Sequence, residues 1–202
     1  MLCTLADIKS RLSLTNPDAD RDAMLTTIIR SVTSIFESFC SRKFIVPATP
    51  VTEYYTGAGP WLQVLYYPIV TIISVKEALD YDYTMAPALV ADTDYRLVNA
   101  GRKGCLYRCW GDWPACPPDS IEVVYRGGYT AADQTPGIGE TAIPADLKEA
   151  AILQTCLLYK RRDDLGLSGG SFPGGSYAKF ADIDLLPVVK DILNNGYRRI
   201  ML

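Results

Sequence analysis

Apolar residues recur at three- and four-residue steps in two long stretches of this chain, and alternate with polar ones in between. In the first stretch Met24, Leu25, Ile28, Ile29, Val32, Ile35, Phe36 and Phe39 form one stripe. That period predicts a long amphipathic helix running to about Cys40. Asn16 is placed to cap it, with Pro17 at its first position. A shorter helix comes before: Thr4-Leu5-Ala6-Asp7 has capping-box spacing, and Leu5, Ile8 and Leu12 share a face.

The second helical stretch is Pro144 to Asp164, PADLKEAAILQTCLLYKRRDD. Its apolar face reads Leu147, Ala150, Ala151, Leu153 at the edge, Gln154, Leu157 and Leu158, and it ends in a burst of charge. Residues 165–183, containing SGGSFPGGS, read as a mobile loop. A last helix starts near Pro187, takes Val188, Ile192 and Leu193 as its apolar face, and runs down at Asn195-Gly196.

Between these stretches the period changes to two. Val51–Thr56, Leu62–Tyr66, Ile69–Ala78, Asp94–Asn99, Gly104–Cys109 and Ser120–Arg126 are rich in β-branched and aromatic residues. Gly57-Ala58-Gly59, Asn99-Ala100-Gly101 and Gly127-Gly128 mark turns, and Gly127 to Thr141 reads as a loop. The expected fold is α+β, mainly α with a β insertion. A small bundle of about four helices carries an antiparallel β unit between helices 2 and 3. We expect one domain over 1–202: helices in 1–45, the β-rich insertion at 51–128, and helices again in 144–202.

Composition adds limits. The chain has 202 residues, 49% of them hydrophobic and 21% charged, which is enough for a core without metal or disulfide staples. A net charge of −3 argues against sequence-blind nucleic-acid binding as the main task. No basic start precedes an apolar run, and no apolar stretch approaches the ~18 residues of a membrane span. The six cysteines are expected to be reduced thiols in a soluble protein made inside a cell.

The chain contains no histidine, so Ser-His-Asp and Cys-His catalysis and imidazole bases are excluded. Cys105, Cys109 and Cys116 cluster, yet three thiols at these spacings fit no common zinc knuckle. They are read as small apolar side chains beside strands, Cys40 and Cys156 as core, and Cys3 as a terminal thiol without a partner. Asp80, Asp82, Asp92 and Asp94 lack the spacing of a calcium loop and read as solvated. The glycines match neither a P-loop nor a dinucleotide fingerprint. No catalytic residue, metal site or cofactor is expected. Tyrosines crowd the β region, where alternation sends some to the core and leaves others for an interface. Lys160-Arg161-Arg162 and Arg198-Arg199 have two readings: contacts to DNA phosphates or partner carboxylates, or cations satisfying helix C-terminal dipoles.

The order of parts carries a resemblance. Thr4-Leu5-Ala6-Asp7-Ile8-Lys9 with Leu12 leads through Asp20 and Asp22 to Met24-Leu25…Ile28-Ile29…Ile35-Phe36-Glu37. Glu53-Tyr54-Tyr55-Thr56-Gly57 and Tyr67-Pro68-Ile69…Ile73-Ser74-Val75 follow. Pro144-Ala145-Asp146-Leu147-Lys148-Glu149-Ala150 then runs to Tyr159-Lys160-Arg161-Arg162-Asp163, and Leu186-Pro187-Val188-Val189…Leu193…Tyr197-Arg198-Arg199 closes the chain. This succession resembles the head-tail connector (adaptor, head-completion) proteins of long-tailed bacteriophages over nearly the whole chain. The 78–120 stretch, with its three cysteines and Trp110 and Trp113, departs from that pattern and reads as a decoration of the β part.

The resemblance implies a non-enzymatic virion protein of the head-tail junction, present in host cytoplasm during assembly. It implies a homo-oligomeric ring, twelve-fold in the virion, docked beneath the portal protein and meeting a tail-completion or stopper protein. Genomic DNA would pass through the lumen without specific binding, and no membrane is involved. Lys160, Arg161, Arg162, Tyr197, Arg198 and Arg199 become candidate partner contacts first and DNA contacts second. The 187–202 tail would order on docking, and deleting 184–202 would spare the fold. A tail-completion or other neck protein is the alternative, and a carboxylate- or thiol-based enzyme the remote one.

Overall fold

Thr4 opens the first helix as expected. In the computed structural model, which describes residues 1–162, 169–171, 177–179 and 185–199, α1 spans Leu5–Arg11. The Thr4 hydroxyl accepts from the Asp7 amide at 3.1 Å, and the Asp7 carboxylate accepts from the Thr4 amide at 2.9 Å. Lys148 from α3 (Ala145–Lys160) adds an ion pair to Asp7 at 2.9 Å. Burial alone would raise the Asp7 pKa, but the Thr4 and Lys148 contacts outweigh it and hold the carboxyl below its usual value of 3.8. The stabilisation is therefore present above about pH 4 and lost as pH falls through the depressed folded value. Asp7→Asn should cost about 1 kcal/mol near neutrality, the worth of a cap. Thermal melts across pH 3 to 7 should show wild type and variant converging at the acid end.

Helix α2 (Ala19–Cys40) starts two residues later than the Pro17 reading, because Asp18 rather than Asn16 caps it: Asp18 Oδ1 accepts from the Arg21 amide at 3.0 Å. Its buried stripe is Leu25, Ile29, Val32, Phe36 and Cys40, whereas Met24 and Ile35 stay exposed. Helix α3 packs against α1, α2 and α4 (Pro187–Gly196), and buries Leu147, Ala150, Ala151, Ile152, Gln154, Thr155 and Cys156. Gln154 is satisfied there because its Oε1 accepts from the Leu186 amide at 3.0 Å. Cys3 is a core residue rather than a stray terminal thiol; burial and then the Asp7 charge push its pKa up to about 12.

The apolar face of α4 differs from the sequence reading. Val188 is 50% exposed, and the buried residues are Leu185, Val189, Leu193 and Tyr197. These fall at strict four-residue steps, the spacing that keeps one helix flank against a neighbour. Leu185 to Tyr197 thus contributes to the helical core, which argues that removing 184–202 would harm the fold. Most of the 165–183 segment lies outside the described residues; within it β9 (Gly169–Ser171) pairs antiparallel with β10 (Tyr177–Lys179).

The described residues divide into two compact units. One holds Met1–Cys40 and Pro144–Arg198, the other Ser41–Ile143 with Arg199. In the β unit, β1 (Val51–Tyr55), β6 (Ile121–Gly127) and β3 (Ile69–Glu77) form an antiparallel sheet in the order β1-β6-β3. A second sheet runs β2 (Trp61–Gln63), β5 (Cys105–Arg108), β4 (Tyr95–Leu97). Each of these six strands overlaps one alternating segment of the sequence, though β2 starts a residue earlier and ends three residues short of the expected Leu62–Tyr66. A short parallel pair, β7 (Tyr129–Thr130) with β8 (Thr141–Ala142), replaces part of the loop expected at 127–141.

Both sheets turn their apolar faces to one core of Leu62, Val75, Leu106, Trp113, Val123 and Tyr125, among others. Trp113 sits at its centre, with its indole N–H donating to the Pro60 carbonyl at 3.1 Å. Gly57 makes that seat possible: a Cβ there would lie 2.3 Å from the Trp113 carbonyl oxygen.

Candidate functional site

Two groups of polar side chains organise the molecule, one at the ends of α3 and α4 and one on the sheets. In the helical unit, Tyr197 is buried, and its hydroxyl donates to Asp146 Oδ1 at 2.5 Å. That bond fixes the end of α4 against the start of α3, while the Leu186–Gln154 bond holds the other end. The two helices are therefore antiparallel. Lys160 to Arg162 and Arg198 consequently lie at opposite ends of the pair, about 20 Å apart at 1.5 Å per residue.

The six candidate contacts have different surroundings. Lys160 is exposed at the last turn of α3. Arg161 follows as its C-cap, and Arg162 lays its guanidinium over the Tyr159 ring at 4.4 Å. Arg198 is exposed and reaches the Phe39 ring at 5.9 Å. Arg199 donates to the Gln63 backbone carbonyl and to Gln63 Oε1 at 3.3 Å. Lys160–Arg162 and Arg198 thus lie at opposite ends of the α3–α4 pair, Tyr197 is buried, and Arg199 belongs to the β unit.

The β unit holds a polar cluster that the sequence did not single out. Glu53 Oε2 accepts from the Tyr125 hydroxyl at 2.7 Å, from the Tyr55 hydroxyl, and from the Leu65 amide at 3.3 Å. The Tyr125 hydroxyl in turn accepts from the Tyr66 amide at 2.9 Å. Burial, followed by the charge of Glu53 for Tyr55 and of Tyr55 and Glu53 for Tyr125, pushes both phenols well above their usual range. They remain protonated donors that tie β1, β6 and the segment after β2 together, which is a structural task. Only alternation hints at this in the sequence; the meeting of two strands and the segment after β2 is a tertiary fact.

Other charged groups are also built in. Arg42 is buried, donates to the Tyr67 carbonyl, and lies 3.3 Å from the Tyr67 ring centre and 4.8 Å from that of Phe44. Arg108 pairs with Glu77 at 3.1 Å and covers the Trp113 ring at 5.3 Å. Burial raises the Glu77 pKa, with Arg108 opposing and Asp94 assisting. Among the described residues no group of three or more Cys, Asp or Glu is arranged to hold a metal. Cys105 is buried, Cys109 half-buried and Cys116 exposed.

What the β unit offers to the outside is surface. Trp61, Tyr107 and Trp110 are 42%, 37% and 76% exposed. An open cleft of about 450 Å³ is lined by Glu77, Leu79, Asp80, Asp82 and Met85. A second, of about 290 Å³, is lined by Asp92, Arg96, Tyr107, Cys109 and Trp110. The sequence marked Trp110 as part of a decoration, but not that strand pairing would set it near Arg96 and Tyr107.

The fold is shared with solved structures. One chain in the neck of an empty gene transfer agent particle, computed with C6 symmetry, matches with a TM-score of 0.61 and 18% identity. The match covers 98% of this chain and 90% of that one. A chain in the neck of the native particle, computed with C12 symmetry, matches at TM-score 0.56 and 14% identity, covering 98% and 89%. A chain of the virion of the native particle matches at 0.57 and 17%, covering 98% and 90%. No family model and no curated protein matches the chain.

Proposed function

We propose that this chain is a structural neck subunit of a phage-like particle, a head-tail connector that assembles as a ring. The observation that carries this reading is the fold match over 98% of the chain, with helical and β parts both included, to chains in gene transfer agent necks. In finer terms, the ring docks beneath the portal, extends the DNA channel and presents a platform to a tail-completion or stopper protein. Twelve copies form it, in keeping with the C12 symmetry of one such neck. It acts at the head-tail junction of the virion after assembly in host cytoplasm, and it catalyses nothing. A net charge of −3 suits a lumen through which DNA slides, because a strongly cationic wall would hold the phosphates.

Under this reading Lys160, Arg161 and Arg162 serve one end of the α3–α4 pair as partner contacts, and Arg198 serves the other. Tyr197 positions Arg198 from within, and Arg199 contributes at the β unit. The test is incubation of the full chain with DNA-filled, tail-less particles whose portal is exposed, followed by sedimentation and particle reconstruction. A ring of density below the portal is the expected result. A chain that never associates with portal-bearing particles overturns the reading, and one that binds tail-tube protein alone is a tail-completion protein instead.

A further inference from the structure

The two sheets of the β unit share one core, so their outer faces point in opposite directions, and those faces differ in chemistry. On the outside of β2-β5-β4, Trp61 stands directly opposite Tyr107, and Tyr107 opposite Arg96. The Trp61 and Tyr107 rings meet edge to face at 4.9 Å, which fixes them as a rigid apolar platform. Trp110 extends it beside Arg96, and Arg102 and Lys103 are exposed beyond the end of β4. Arg96, Arg102 and Lys103 make no ion pair among the described residues. Asp92 shares this cleft with Arg96, and Asp112 is exposed beside Trp110, so the excess of cations comes from Arg102 and Lys103 in the neighbouring cleft.

The other side is acidic. Tyr83 packs on Tyr54, an outward residue of β1, at 5.1 Å, so the loop after β3 lies over the outer face of β1-β6-β3. That loop lines the 450 Å³ cleft with Leu79 and Met85, which are 63% and 81% exposed, and with Asp80 and Asp82. Asp80 accepts from the Asp82 amide, and Asp82 from the Thr84 amide and hydroxyl and the Met85 amide, while Lys76 reaches the same loop at the Tyr83 carbonyl. Exposed aromatic and thioether side chains of this size are costly to leave in water and mark association surfaces.

We propose that the Trp61–Tyr107–Trp110–Arg96 face binds the Leu79–Met85 cleft, with Asp80 and Asp82, of a second copy of this chain. Because the two patches are different surfaces of one unit, the contact is head-to-tail, the kind that closes rings rather than stopping at dimers. Arg96 meets the aspartates, and Trp110 fills the apolar part of the cleft. The inference deepens the ring reading above by naming the β unit as a subunit contact.

A charge-swap mixture tests it, using the full chain with association followed by mass photometry and sedimentation. Arg96→Glu alone and Asp80→Lys/Asp82→Lys alone should each weaken self-association about tenfold, as like charges come into register. An equimolar mixture of the two variants should recover it, since every contact in an alternating ring is then opposite-charged. A photo-crosslinker at Tyr107 should label residues 77–86 of another copy in wild type and in the mixture, but in neither variant alone. Rings that persist in both single variants, or that crosslink elsewhere, overturn this contact and leave the neck reading standing. A wild-type chain that shows neither association nor crosslink at any concentration overturns the contact as well. The neck reading itself is judged separately by portal-particle binding.

Discussion

Ending the chain at Asp184 should unfold the helical unit instead of releasing a docking tail. The truncation removes Leu185, Val189, Leu193 and Tyr197, all buried on the α3-facing and α2-facing side of α4. It also uncaps the Gln154 side chain and leaves Asp146 without its phenol donor. Leu193→Ala alone should cost about 2–5 kcal/mol, a large share of the roughly 5–15 kcal/mol that holds a domain together. Tyr197→Phe, which keeps the ring and loses only the bond to Asp146, should cost about 1 kcal/mol. Far-UV circular dichroism and urea unfolding decide the matter. Native helicity and an unchanged midpoint in the truncated chain would show that α4 is detachable after all.

The second large effect should come from Trp113→Ala, at about 3–5 kcal/mol. Its ring is 1% exposed, fills the centre of the core between the sheets, and carries the guanidinium of Arg108 on its face. The substitution also removes the indole N–H bond to the Pro60 carbonyl, which keeps only the Arg108 amide as donor. Trp113→Phe should cost less, since most of the packing survives while the hydrogen bond does not. Fluorescence gives a direct readout, because Trp61 and Trp110 are exposed and Trp113 is not. Loss of the blue-shifted component in Trp113→Phe, with urea unfolding recorded alongside, is the expected pattern. An unchanged spectrum and midpoint would mean that the core does not rest on this residue.

The contrast between these residues shows how far sequence reading reaches. Trp110 and Trp113 stand three apart in one loop-like stretch and look alike on paper, yet one is on the surface and the other is the core. The buried face of α4 departs from its sequence pattern for a related reason. Val188, Ile192 and Leu193 make an acceptable apolar arc, but Leu185-Val189-Leu193-Tyr197 is the arc that meets α2 and α3. Periodicity gives an amphipathic helix a hydrophobic side within about one residue; the neighbour decides which flank is covered. The Glu53 cluster has no sequence signal because its parts, Tyr55, Leu65 and Tyr125, meet only when β1 pairs with β6 and the segment after β2 folds against them.

Local rules did settle a good deal. The capping box at Thr4 and Asp7, the α2 and α3 periods, and the six alternating segments between Val51 and Gly127 are set by near neighbours in the chain, so the sequence by itself determined an α+β fold with its β unit between helices 2 and 3. Contacts of long sequence separation decided the rest. They turned α4 inward, set Lys160–Arg162 and Arg198 at opposite ends of a helix pair, and put Trp61, Tyr107 and Arg96 side by side on one sheet. Those outcomes depend on which strands and helices become partners, and a three- or two-residue period carries no information about the partner.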